Sequence, residues 1–332
     1  MALAAAFLTF FLCIAPASGE DVPAAAQPSV TLVAVGDIRL DGPVGRYAKR
    51  HGNDAPVRAV SDALSGDILF GNLECSLTSR GKARDKTFTF RAPPESTAIL
   101  KAAGFDIVSL ANNHVMDFGE QGLQDTKKAL DDAGILHVGA GDNAAAAARP
   151  VFIEKNGLKI GFLGITSTIP RENWAGKSTP GVAYSDVRTI PNLVKNTKKL
   201  CDILVVSYHG GTQLMNTPNP VQKEIISLVL GAGADVVLGH HPHVLQPITR
   251  KGTQIAFYSL GNFLFVSPTP GTQWTAIARL RLSRSRITAE MVPIEIGPGV
   301  LKPAGPKGRE VIRQALDGEG ELSRRPESVK LR

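Results

Sequence analysis

Three imidazoles fall within four positions in Gly239-His240-His241-Pro242-His243, and they are three of the chain's seven histidines. The preceding run Ala234-Asp235-Val236-Val237-Leu238 reads as a buried strand, so the cluster hangs from a strand end. Neutral imidazole is the commonest nitrogen ligand of divalent metals, and a strand end is a rigid place to mount one. A lone histidine is more often a surface or satisfied core residue. That plainer explanation weakens here because ligand-type residues recur after other apolar runs. Val33-Ala34-Val35-Gly36-Asp37, Ile68-Leu69-Phe70-Gly71-Asn72-Leu73-Glu74, Val108-Ser109-Leu110-Ala111-Asn112-Asn113-His114 (with Asp117 three residues on) and Leu204-Val205-Val206-Ser207-Tyr208-His209-Gly210 all share the layout.

In α/β sheets, ligand sites gather beyond the carboxyl ends of the strands, so these turns are expected to converge. A carboxylate such as Glu74 would bridge two ions and Asp37 would bind one, with histidines and an Asn amide oxygen completing both shells. Two such ions can clamp both oxygens of a phosphoryl displacement and lower the pKa of water. Each residue has an alternative role. Asp37 would serve as a turn former or cap, Asn112 and Asn113 as left-handed turn residues, and Glu74 as a surface carboxylate. For Asp117, capping the helix that starts near Phe118 is favoured over ligation. His51 and His137 sit outside the pattern and read as structural. No Gly-x-Ser-x-Gly elbow, P-loop or dinucleotide fingerprint is present.

The elements that must position these residues alternate from Ser29 onward. Strands are expected at 29–35, 67–70, 106–110, 135–138, 202–207 and 235–238, and helices at 56–64, 95–103, 119–133, 187–200 and 221–232. Residues 151–154 and 158–163 flank Lys155-Asn156-Gly157, a hairpin signal. The long loop over 165–186 is expected to be functional. Runs at 244–249, 254–258, 275–282 and 287–296 read as antiparallel strands. Asn262, in the Ser259-Leu260-Gly261-Asn262-Phe263 turn, would donate to substrate or close the turn. Alternating units followed by hairpins imply a mixed sheet, or two sheets face to face with helices outside.

At 332 residues, 43% hydrophobic and 20% charged, the chain has the apolar mass for a sizeable core. The net charge of +7 is spread without a Lys/Arg block, which argues against nucleic-acid partners. Residues 2–17 are apolar and uncharged, followed by small residues and then Glu20-Asp21. Residues 1–19 therefore read as a signal peptide and 20–28 as a linker, with an uncleaved N-terminal anchor the alternative because a basic leading region is missing. Export to the periplasm or cell surface is expected. Two cysteines beyond that segment, Cys75 and Cys201, do not make a disulfide scaffold.

Taken in order, Gly36-Asp37, Gly71-Asn72-Leu73-Glu74, Asn112-Asn113-His114 with Asp117 and Gly119, His209-Gly210, Gly239-His240-His241-Pro242-His243-Val244 with Gln246, and Ser259-Leu260-Gly261-Asn262-Phe263 resemble the CapA family. These are poly-γ-glutamate capsule synthesis and export proteins within the calcineurin-like metallophosphoesterase superfamily. The resemblance covers residues 29–297 and implies a four-layer α/β/β/α sandwich of two mixed sheets flanked by helices. Residues 298–332 would be a peripheral tail, with a short helix over 309–316, although the tail could also pack on the domain.

By resemblance, two divalent ions (Mn, Fe, Zn or Mg) would be held by Asp37, Glu74, Asn113, His209 and two of His240, His241 and His243. Which of His240 and His241 faces metal stays open, because the spacing exceeds the superfamily's Gly-His-x-His by one residue. His114 would assist a leaving group and Asp117 orient it, while Asn72, Asn112 and Asn262 would contact substrate. Three departures stand out. Arg39 replaces the second ligand of an Asp-x-His pair, Gln213 replaces a glutamate, and Gly210 replaces a tryptophan. The implied role is synthesis or export of an anionic polymer, with a phosphoester substrate or a membrane synthase complex as partners. The alternatives are a non-catalytic polymer- or synthase-binding subunit with a vestigial metal site, and a periplasmic phosphatase unrelated to capsule.

Overall fold

Apolar runs build the central strands, which are buried on both faces as in Ile68–Leu73 and Ile203–His209, and those two faces decide the layers. The computed structural model describes residues 27–318 and 329–331. One eight-stranded sheet runs in the order 301–303, 287–296, 274–282, 30–38, 68–73, 107–109 and 136–138, with 329–331 also pairing to 287–296. A six-stranded sheet runs 245–251, 254–260, 236–240, 203–209, 158–166 and 151–155.

Between the sheets lies a cluster that includes Leu32, Phe70, Phe162, Leu238 and Phe257. The Phe70 and Phe162 rings stack across the gap with centroids 5.9 Å apart. On the outer face of the larger sheet, Val44, Leu100, Leu123 and Leu130 bring helices into a second cluster. On the outer face of the smaller sheet, Val194, Ile226 and Val229 do the same. The result is the expected four-layer α/β/β/α sandwich, each interface sealed by apolar side chains.

Local chemistry explains some element ends. The Leu158–Thr166 and Val151–Lys155 strands join through Asn156 (φ 48°) and Gly157 (φ 74°), the positive-φ pair that a tight hairpin needs. Asn219 caps Pro220–Gly231 in a reciprocal box with Gln222.

Three expectations change. A helix Gly42–His51 forms where none is expected, marked in hindsight by Pro43 in its first turn and Lys49, Arg50 and His51 in its last. The expected helix over 56–64 divides into a 3-10 turn Arg58–Val60 and a short helix Ser61–Leu64. Gln254–Leu260, read as antiparallel, pairs antiparallel only with Leu245–Lys251 and runs parallel to Val236–His240.

The expected signal peptide and most of the linker lie outside the described residues. No helix among the described residues is long and apolar enough to cross a membrane. The segment after residue 297 is more than peripheral. Strand Leu301–Pro303 extends the larger sheet, and helix Pro306–Asp317 places Ile312 and Leu316 in the inter-sheet cluster at 0% and 1% exposure. Ile312→Ala should therefore cost about 2–4 kcal/mol in urea unfolding, where a peripheral tail would give almost none.

Candidate metal centre

Backbone approach creates the site before any side chain enters it. Residues 261–264 leave the smaller sheet and run beside Val30–Ile38 of the larger one. Asp37 N donates to Gly261 O (2.9 Å), Phe263 N to Asp37 O (2.8 Å) and Arg39 N to Leu264 O (2.8 Å). Gly36, just before Asp37, makes this approach feasible, since a Cβ there would stand 2.0 Å from Gly261 O. Gly239, just before His240, does the same within the smaller sheet, where a Cβ would stand 2.0 Å from Tyr258 O on the neighbouring strand. The carboxyl ends of the parallel strands from both sheets thus meet at one place.

Asp37, Glu74, His209 and His240 are fully buried there, with His114, His241 and His243 nearly so. Asp37 Oδ1 lies 3.3 Å from His240 Nδ1, and Oδ2 lies 3.2 Å from His243 Nδ1. The backbone N–H of His241 also donates to Asp37 Oδ2 (3.2 Å). Glu74 Oε1 stands 3.4 Å from His209 Nε2 and 3.9 Å from His114 Nε2. His209 Nε2 in turn lies 2.7 Å from Asn113 Oδ1 and 3.1 Å from His241 Nδ1.

Two ligand triads share Glu74: one is Glu74, His209 and His241, the other Asp37, Glu74 and His243, with the donor atoms of each within 4.8 Å of one another. His240 and His241 point to different neighbours. His241 joins the His209 triad, while His240 packs against Asp37. His241 and His243 have φ of 97° and 59°, left-handed conformations that cost energy in residues other than glycine.

The residues fit divalent cations. Both oxygens of Glu74 and both ring nitrogens of His240 are buried without a hydrogen-bond partner. A buried carboxylate in that state carries a desolvation penalty that a bound cation would remove. Burial, with the Asp37 charge adding to it, pushes Glu74 well above the usual carboxylate range. Asp37 is also desolvated, but its contacts with His240 and His243 outweigh burial and hold it well below that range. Burial pushes His209 far down and His241 down to about 3. Burial would lower His243 too, but Glu74 and Asp37 raise it to about 9. Protons thus offset part of the negative charge that a cation would otherwise meet.

The remaining expected residues fall around this core. His114 Nδ1 lies 2.7 Å from Asp117 Oδ2, and its ring stacks on Phe90 with centroids 4.1 Å apart. Asp117 is not a helix cap: helix Gly119–Asp132 begins from Phe118 without side-chain capping. Its carboxylate instead accepts from Phe90 N (2.7 Å) and Lys86 Nζ (2.7 Å), because the chain turns it back toward the 86–90 segment.

Asn72 and Asn112, expected to meet substrate, have their amides engaged inside the fold. Asn72 Nδ2 donates to Asp37 Oδ1 (2.8 Å) and Asn112 Nδ2 to Asn72 Oδ1 (3.1 Å) and Leu73 O (2.8 Å). Asn112 Oδ1 accepts from both His114 N and Val115 N, so these amides tie the ligand-bearing turns together. Asn262 Oδ1 lies 2.9 Å from His243 Nδ1, while its Nδ2 is buried without a partner. His51 and His137 stay away from the cluster, pairing with Tyr47 and Asp131.

Sequence reasoning missed Lys86, which carries no motif signal, and the wall formed by Phe90 and Phe265. Phe265 meets His243 with centroids 4.8 Å apart, and the Arg39 guanidinium lies over Phe90 (4.3 Å). Arg39, standing at a usual ligand position, is thus a rim cation paired with Asp41.

Comparison with known proteins supplies context for this geometry. The family described as "Bacterial capsule synthesis protein PGA_cap" matches residues 31–267. The chain is 33% identical over 84% of its length to the PGA biosynthesis protein CapA of Bacillus subtilis, covering 76% of that protein. It is 30% identical over 78% of its length to a probable polyglutamine synthesis accessory protein of Mycobacterium tuberculosis, covering 74% of it. In fold, the NAD nucleotidase of Haemophilus influenzae aligns with a TM-score of 0.51 at 11% identity, over 92% of this chain and 64% of that one.

Proposed function

Since this chain belongs to the bacterial capsule synthesis protein PGA_cap family, we propose that it serves poly-γ-glutamate capsule synthesis through a hydrolytic site holding two divalent cations. Glu74 would be shared by both ions. Asp37 and His243, with His240 beside them, would complete one set; His209, His241 and the Asn113 amide oxygen would complete the other. When bound, such a pair supplies Lewis-acid stabilisation and an activated nucleophile. The observation that carries this reading is Glu74, whose two buried oxygens have no hydrogen-bond partner among the described residues yet face both imidazole sets.

The chain's own residues provide the rest. Asp117 holds the His114 Nδ1 proton, which leaves Nε2 pointing toward Glu74 as the atom able to accept or return a proton. Burial lowers the His114 pKa against the pull of Asp117, so the ring is neutral near pH 7. Lys86 and Phe90 N fix Asp117 in turn. The word "accessory" in the mycobacterial relative's name supports a polymer-synthesising partner. The apolar segment over residues 2–17 supports export.

The test is metal analysis of the purified protein together with turnover of bis-p-nitrophenyl phosphate with added Mn²⁺. Cation uptake that His209→Ala removes, with turnover that depends on it, is the expected result. Wild-type protein that takes up no divalent cation would end the proposal. Asp117→Asn should lower turnover about 10–100-fold, the range for loss of a residue that orients a catalytic histidine. Its cation content should stay unchanged; a parallel loss of metal would mean that Asp117 supports the fold of the site instead.

A further inference from the structure

A cavity of ≈ 410 Å³ opens beside the candidate metal centre, lined by Arg84, Lys86, Asn113, Asp117, Thr168 and Asn173 among others. Asn113 and Asp117 belong to the surroundings of the centre, so the cavity adjoins it without containing the shared carboxylate. Two of its lining groups lack partners. Asn173 is 8% exposed, and its Oδ1 is buried with no hydrogen bond. Arg84 is half-buried, and its guanidinium makes no hydrogen bond or ion pair among the described residues.

Lys86 differs from Arg84, because Asp117 Oδ1 and Asn113 O already hold its ammonium. The wall that carries Asn173 is well fixed. Trp174 Nε1 donates to Ile169 O (2.9 Å), and its ring stacks on Tyr184 at 3.5 Å. An unpaired acceptor and an unpaired cation around one cavity call for a ligand with an N–H donor and a negative charge. Asp85 and Glu172 also line the cavity, but from exposed positions where solvent screens them.

We propose that this cavity recognises an acidic amide, with a ligand carboxylate against Arg84 and a ligand N–H on Asn173 Oδ1, seated beside Asn113 and His114. A γ-linked glutamyl chain presents one carboxylate and one amide N–H in every residue, so the proposal rests on the capsule reading and adds the residues that would read the polymer. The long loop over 165–186 then has a role, since it contributes Thr168 and Asn173.

Calorimetric titration of the full chain with a γ-linked glutamate trimer, and with glutarate as a carboxylate lacking the N–H, tests it. Asn173→Leu should weaken the trimer about tenfold and leave glutarate unchanged, while Arg84→Gln should weaken both about tenfold. Trp174 fluorescence reports whether the variant wall is intact, and Arg84→Gln provides an independent arm if Asn173→Leu misfolds. The proposal is overturned if the wild type does not bind the trimer, if glutarate binds as tightly, or if both variants bind as the wild type does. Metal content measured on the same samples separates the two ideas. Cation uptake together with trimer binding that does not depend on Asn173 and Arg84 removes the pocket alone, and trimer binding that tracks them without cation uptake removes the metal reading alone.

Discussion

Glu74→Gln abolishes the thermal response to divalent cations and leaves the metal-free protein as stable as the wild type, or more so. The expectation follows from the position of Glu74. It is fully buried, neither oxygen has a hydrogen-bond partner among the described residues, and burial together with the Asp37 charge pushes its pKa well up. An isosteric amide removes that repulsion and creates no cavity. A ligand that binds only the folded state stabilises it by about 2.7 kcal/mol at a hundredfold excess over its Kd, which appears as a rise in Tm. The wild type should show that rise with Mn²⁺ or Zn²⁺, and the variant should not. Because both ligand triads include Glu74, metal content should fall for both ions and not for one alone. A variant that loses metal-free stability and still responds to cations would make Glu74 a structural residue.

Gly36→Ala should be nearly as damaging, by a different route. The added methyl meets the carbonyl oxygen of Gly261 at 2.0 Å, and that atom is backbone, so no side-chain rotation relieves the clash. Either the Val30–Ile38 strand or the 261–264 segment must move. Both carry the site: Asp37 N and O bond to Gly261 and Phe263, and Asn262 bonds to His243. Overpacking of this kind costs about 3 kcal/mol or more. Urea unfolding should show the loss, and metal analysis should show cation uptake falling with it. Gly239→Ala should behave alike, since its methyl would meet Tyr258 O just before His240. Wild-type stability and wild-type metal content in Gly36→Ala would mean that the sheets need not approach so closely, and in Gly239→Ala that the neighbouring strands of the smaller sheet need not.

Much of this arrangement is legible in the chain because the ligands follow the strands that place them. Apolar runs ending in Gly36-Asp37, Asn72-Leu73-Glu74, Asn113-His114, His209 and the 240–243 histidines mark both the strands and the convergence of their ends. Asn156-Gly157 marks the hairpin for an equally local reason, the positive φ of its turn. Helix Gly42–His51 is harder to read, since Val44 and Ala48 are its only buried side chains. The C-terminal helix Pro306–Asp317 is mostly polar, and only its docking shows that Ile312 and Leu316 belong to the core.

What the sequence by itself determined is the set of candidate ligand types and the strands that bear them, because those depend on residue chemistry and on periodicity within a few neighbours. The tertiary structure alone decided how they are used. Asp117 serves His114 and not a helix end, Asn72 and Asn112 brace turns and do not face outward, and His240 and His241 take different partners. Each of these choices depends on contacts between residues far apart along the chain, set by how the two sheets meet at 36–39 and 261–264 and by how neighbouring strands of the smaller sheet approach at 239 and 258. No local pattern encodes such distances, because they emerge only when the interfaces between layers close.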